Sequence, residues 1–116
     1  MASSINIIRE SDREFSVRIT IKETGDPFDL TGVSQIKAYF PKADGTALEK
    51  NMSPSGSIVV LSAIAGRIKI TLSEADTVLL NVGEAQSFEV EIQIGTVTSI
   101  VQFVEALNVI DRVFGV

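Results

Sequence analysis

The sequence predicts an all-β fold, an antiparallel immunoglobulin-like β-sandwich of seven or eight strands with one short helix. Three observations carry that prediction. Several runs alternate apolar and polar residues with a period of two, the mark of strands with one buried face. Between them stand turn-forming stretches such as Thr24-Gly25-Asp26-Pro27 and Ala43-Asp44-Gly45. Only one short stretch, from Ser73, carries a helical signal. With 116 residues and no repeat or linker, the chain reads as one domain over residues 1–116. A small barrel is the alternative closure of the same strands.

Ile5-Asn6-Ile7-Ile8 is a short strand candidate, and Arg9–Glu14 reads as a charged, solvated turn. Phe15–Lys22 places Phe15, Val17, Ile19 and Ile21 inward, and its β-branched content suits a strand. After the turn around Asp29-Leu30-Thr31-Gly32, the run through Phe40 points Ile36, Ala38 and Phe40 one way and Gln35, Lys37 and Tyr39 the other. Asp26, Asp29 and Asp44 are expected to brace their turns through side-chain hydrogen bonds. Thr46–Met52 is weakly apolar and expected at an edge, while Ser57–Ser62 is apolar without alternation. Arg67–Leu72 alternates cleanly, with Ile68, Ile70 and Leu72 inward.

Ser73-Glu74-Ala75-Asp76 starts the helix, with a good N-cap and acidic groups near the positive end of the helix dipole. Ala75, Val78 and Leu79 share a side, so about two turns are expected, docked against the sheets. Gln86–Ile94 resumes alternation with Phe88, Val90, Ile92 and Ile94 inward, and Gly95-Thr96 turns it into a hairpin. Val97–Ala106 is apolar at both parities, which predicts either burial on both faces or a bulge.

Composition excludes much chemistry. Neither cysteine nor histidine occurs, so disulfides, the usual zinc sites and histidine-based triads are impossible. A net charge of −5 disfavours nucleic acid and anionic membranes as partners. No phosphate loop or nucleophile elbow is present. Glu89 and Glu91 share one strand face but read as a solvated pair, and Glu10, Asp12 and Glu14 lack a calcium-loop pattern. No catalytic, cofactor-binding or metal-binding residue is assigned, and the chain is not expected to be an enzyme. The start, MASSINIIRESDREF, lacks the basic and apolar regions of a secretory signal, so synthesis and folding in the cytoplasm are expected.

The chain ends hold more apolar residues than one small core needs, which marks Ile5, Ile7, Ile8, Val113, Phe114 and Val116 as candidate interface residues. Phe15–Ile21, the Asp29-Leu30-Thr31-Gly32 turn into Val33–Phe40, Lys42–Thr46, Gly66–Leu72, the Ser73–Asp76 helix and Phe88–Ile94 follow in a characteristic order. In that order the chain resembles the N-terminal, immunoglobulin-like domain of the phage baseplate upper protein family. The resemblance implies a virion structural module that docks onto other virion proteins and onto itself as an oligomer. A carbohydrate- or ligand-binding sandwich is the alternative, but it calls for clustered exposed aromatics. Here the six phenylalanines sit mostly at inward positions, with one tyrosine and no tryptophan.

Overall fold

The computed structural model describes residues 5–21 and 23–110. Among them the elements run β1 (Ile5–Ile8), β2 (Arg13–Arg18), β3 (Val33–Pro41), β4 (Ala47–Asn51), β5 (Ile58–Ser62), β6 (Arg67–Leu72), α1 (Glu74–Thr77), β7 (Gly83–Ile94) and β8 (Val97–Ile110). They form two sheets, a five-stranded one ordered β1-β8-β7-β3-β4 and a three-stranded one ordered β2-β6-β5. The all-β sandwich is therefore as the alternation predicts, and β4 lies at an edge as its weak apolar pattern requires.

The alternating residues meet between the sheets. Ile36, Ala38 and Phe40 of β3, Val90 and Ile92 of β7, and Ile68, Ile70 and Leu72 of β6 are all buried. Four phenylalanines run through this layer. Phe15 of β2 meets Phe40 edge-on at 6.3 Å between ring centroids. Phe40 then stacks on Phe88 at 5.0 Å, and Phe88 on Phe103 at 4.7 Å. Each such contact adds about 1 kcal/mol beyond the area it buries.

Not every pairing is antiparallel. β1 lies parallel to the end of β8, with Ile5 opposite Leu107 and Ile7 opposite Val109. A parallel pair needs a long connection, and here nearly the whole chain supplies it. From β1 the chain crosses to the other sheet through Arg9 and Glu10, and Glu10 takes a φ of 64°. β2 is shorter than the alternation suggests. Ile19 is still buried, but Ile21 is 39% exposed at a turn, with Gly25 N–H donating to the Ile21 carbonyl and Ile21 N–H to that of Asp26.

The charged Arg9–Glu14 stretch is not simply a solvated turn. Arg9 donates to the Val78 carbonyl, Ser11 N–H donates to Thr77 Oγ1, and Glu74 N–H donates to Asp12 Oδ1. These bonds fasten it to α1. The helix begins at the predicted cap: Asp76 N–H donates to Ser73 Oγ and Ser73 N–H donates back to the Asp76 carboxylate. It spans four residues, and its buried residue is Thr77 rather than the expected Ala75. Leu79 is 44% exposed while Leu80 is fully buried. Both departures follow from the turn after Thr77, which sends the chain into a bridge between Leu80 and Lys42.

Lys50 reaches from β4 to Asp76 at 2.9 Å, so an inward-pointing charge closes that sheet edge. Burial opposes ionisation of Asp76, but hydrogen bonds from Ser73 and the Lys50 ammonium outweigh it and hold the carboxyl below its usual range. Asp29 and Asp44 each accept from the hydroxyl and backbone N–H of the threonine two residues on, which lowers both carboxyls in the manner the turn reading predicts. Asp26 differs: its turn is braced by Thr24, whose hydroxyl accepts from the Asp26 N–H.

Among the described residues, Gly66 is the one glycine that packing dictates. A Cβ there would stand 2.5 Å from the Ile19 carbonyl oxygen and 2.8 Å from that of Phe28, on a backbone with φ of 67°. Phe40→Ala is expected to cost about 4 kcal/mol in urea unfolding, and Gly66→Ala several-fold more than a surface change such as Val59→Ala, which stays within about 0.5 kcal/mol.

Candidate protein-binding surfaces

Because the strands alternate, each sheet presents an outer face whose residues the core assigns. On the five-stranded sheet, β7 contributes Glu89 and Glu91, β3 contributes Lys37 and Tyr39, β4 contributes Glu49, and β8 contributes Ile100, Gln102 and Val104. Tyr39 lies opposite Glu49 on one side and Glu89 on the other. Its hydroxyl sits 3.5 Å from Glu91 Oε2, and Gln102 donates to Glu89 Oε1 at 3.0 Å. Burial, then the charges of Glu91, Glu49 and Glu89, push the Tyr39 phenol up from its ordinary value. The tyrosine thus pairs across strands.

β8 holds the largest departure from a fully paired strand. Val97, Ile100 and Val104 are 64%, 61% and 59% exposed, so the strand is not buried on both faces. The bulge alternative holds instead. The register between β7 and β8 shifts between Gly83 and Phe88, and Ala85 on β7 and Glu105 on β8 take positive φ there. Past Glu105, Ala106, Leu107 and Val109 turn into the core. Among the described residues β1 covers only Leu107–Ile110, leaving the edge from Val97 to Gln102 open beside Thr20, Ile21 and Phe28.

The three-stranded sheet shows the opposite charge. Glu14, Ser16 and Arg18 of β2 and Arg67, Lys69 and Thr71 of β6 face outward, with Arg18 directly opposite Arg67. Beside them β5 exposes Val59 and Leu61 at 43% and 47%. Lys69 approaches Glu14 at 3.6 Å.

Neither protein-family models nor curated proteins give a match to this chain.

The interface residues expected from the chain ends divide in three. Ile5 and Ile7 are 8% and 0% exposed and belong to the chain's own core, so they are corrected from interface to core. Their period-two spacing beside β8 is what buries them. Ile8 is 51% exposed and stands opposite Ile110, itself 45% exposed. Val113, Phe114 and Val116 lie outside the described residues. Sequence reasoning missed Val59, Leu61, Ile100 and Val104 as surface groups. The signal was there in the apolar runs of β5 and β8, which one buried face cannot absorb. Among the described residues no group of three or more Asp or Glu side chains is placed to hold a metal ion. None of their helices is long and apolar enough to cross a membrane.

As the only tyrosine, in a chain without tryptophan, Tyr39 can be titrated directly by ultraviolet absorbance. Its midpoint is expected above the ordinary value for a tyrosine, and Glu91→Gln lowers it while leaving the part due to burial.

Proposed function

We propose that this chain is a non-enzymatic structural protein of a phage particle, acting by protein–protein assembly as a baseplate, tail or adaptor module. The observation that carries the assembly reading is the pair Ile100 and Val104, each about 60% exposed on the outer face of β8, with Val97 64% exposed at the start of the same strand. Apolar area of this kind on a regular sheet marks interaction surfaces. The stretch from Val97 to Val104 holds no charged residue. Natural edges of that length are usually guarded by charge or covered by a partner.

The phage assignment rests on the resemblance of the turn and strand order to the immunoglobulin-like N-terminal domain of baseplate upper proteins. Under this reading the chain is made in the host cytoplasm and ends up in the virion. Its partners are other virion proteins and further copies of itself, with no nucleic acid, membrane or cofactor. The carbohydrate-binding alternative gains nothing from the outer faces, where Tyr39 is the only aromatic of the five-stranded sheet and is occupied by Glu91.

Mass spectrometry of particles purified from a host carrying the gene tests the assignment. The chain is expected in finished particles at a fixed copy number relative to the tail proteins. Recovery only in the soluble lysate, with none in particles, contradicts it.

A further inference from the structure

We propose that copies of this chain stack on one another through unlike faces, the outer face of the three-stranded sheet of one copy against the outer face of the five-stranded sheet of the next. The inference rests on the assembly reading above and names its surface and partner.

The two faces carry matching patterns of opposite charge. On one, Glu89 and Glu91 stand two residues apart on β7, with Ile100 of β8 directly opposite Glu91. On the other, Arg67 and Lys69 stand two residues apart on β6, with Val59 of β5 directly opposite Lys69. Residues two apart on a strand are spaced about 6.8 Å and neighbouring strands about 4.8 Å. The acidic and basic pairs therefore share one spacing, and each has an exposed apolar residue directly opposite one of its members, Ile100 opposite Glu91 and Val59 opposite Lys69. Laying Val59 over Ile100 sets Lys69 and Arg67 against Glu91 and Glu89, with Leu61 over Gln102.

On the basic face the one ion pair among the described residues is Lys69 with Glu14, at 3.6 Å. Arg18 and Arg67 stand opposite each other across β2 and β6, and neither forms an ion pair among the described residues. Like charges directly opposite on a sheet are unfavourable unless an acid meets them. Arg9 and Arg13, by contrast, are spent on backbone carbonyls. In a chain of net charge −5 this basic row is a local exception. The acidic pair is bound only by neutral groups, Gln102 on Glu89 and Tyr39 on Glu91. Each face holds one residue of the other sign, Lys37 on the acidic one and Glu14 on the basic one.

These charges also decide against like-on-like pairing. Two acidic faces or two basic faces brought together repel. A second copy offers the complementary half of each face, so the contact is heterologous and repeats into a ring or an open stack.

Charge reversal on each face, followed by mixing, tests the arrangement. R67E/K69E makes both faces acidic and E89K/E91K makes both basic. Each variant alone is expected to sediment as a monomer at concentrations where the wild type associates, with at least a tenfold weaker association. An equimolar mixture regains association, because each copy then finds an opposite face. A variant with the same net-charge change placed elsewhere, E23K/E74K, does not replace E89K/E91K in that mixture. Circular dichroism confirms that each variant is folded, and R67Q/K69Q with E89Q/E91Q serve if a reversal unfolds the chain, each then weakening association alone. The proposal is overturned if folded single-face variants associate like the wild type, if the mixture stays monomeric, or if E23K/E74K rescues equally. Presence in phage particles is independent of all three results.

Discussion

The packing of Phe15, Phe40, Phe88 and Phe103 is the contact on which the rest of the structure depends. It joins β2 of one sheet to β3, β7 and β8 of the other, with successive ring centroids 6.3, 5.0 and 4.7 Å apart. Once these rings are inside, the period of two leaves no freedom for their strands. Every residue next to an inward one must face out. Glu89, Glu91, Ile100 and Lys69 are surface groups for the same reason that Phe88, Val90, Val101 and Ile70 are core groups.

That logic also explains how the chain ends are held. Ile5 and Ile7 complete the core beside Leu107 and Val109, and the parallel pairing lets an N-terminal strand seal the end of β8. At the other end of the sandwich, a helix of four residues is too short to hold itself by backbone bonds alone. It persists because its own cap Ser73, Arg9 and Asp12 of the β1–β2 connection and Lys50 of β4 all bind it. Charges that look idle in the sequence are structural in the fold.

Much of this was legible in the residues. The alternation of Val33–Phe40, Arg67–Leu72 and Gln86–Ile94 reports burial directly, and Asp29 and Asp44 act in their turns as their chemistry dictates. What escaped were features set by distant contacts. Nothing local says that β1 pairs in parallel, since that depends on where β8 ends. The hydrophobic spacing of Ala75, Val78 and Leu79 suggested a longer helix, and the bridge from Leu80 to Lys42 cut it short. The apolar residues of β8 left burial on both faces or a bulge open, and only the distant pairing with β7 decides for the bulge. The candidate binding surface was hidden for a related reason. Its charges lie on β2, β6 and β7, far apart in the chain, and only sheet order gathers Arg18, Arg67 and Lys69 onto one face.

The central claim is that the outer faces of this sandwich are built for contact with further copies. Static light scattering of the wild-type protein across a dilution series, at low and at high ionic strength, addresses it most directly. Opposed charges at an exposed contact are screened within about 10 Å at 0.1 M salt. The account predicts a mass that rises with concentration at low salt and falls back toward 12.5 kDa at high salt. A mass fixed at that of one chain under every condition would contradict it.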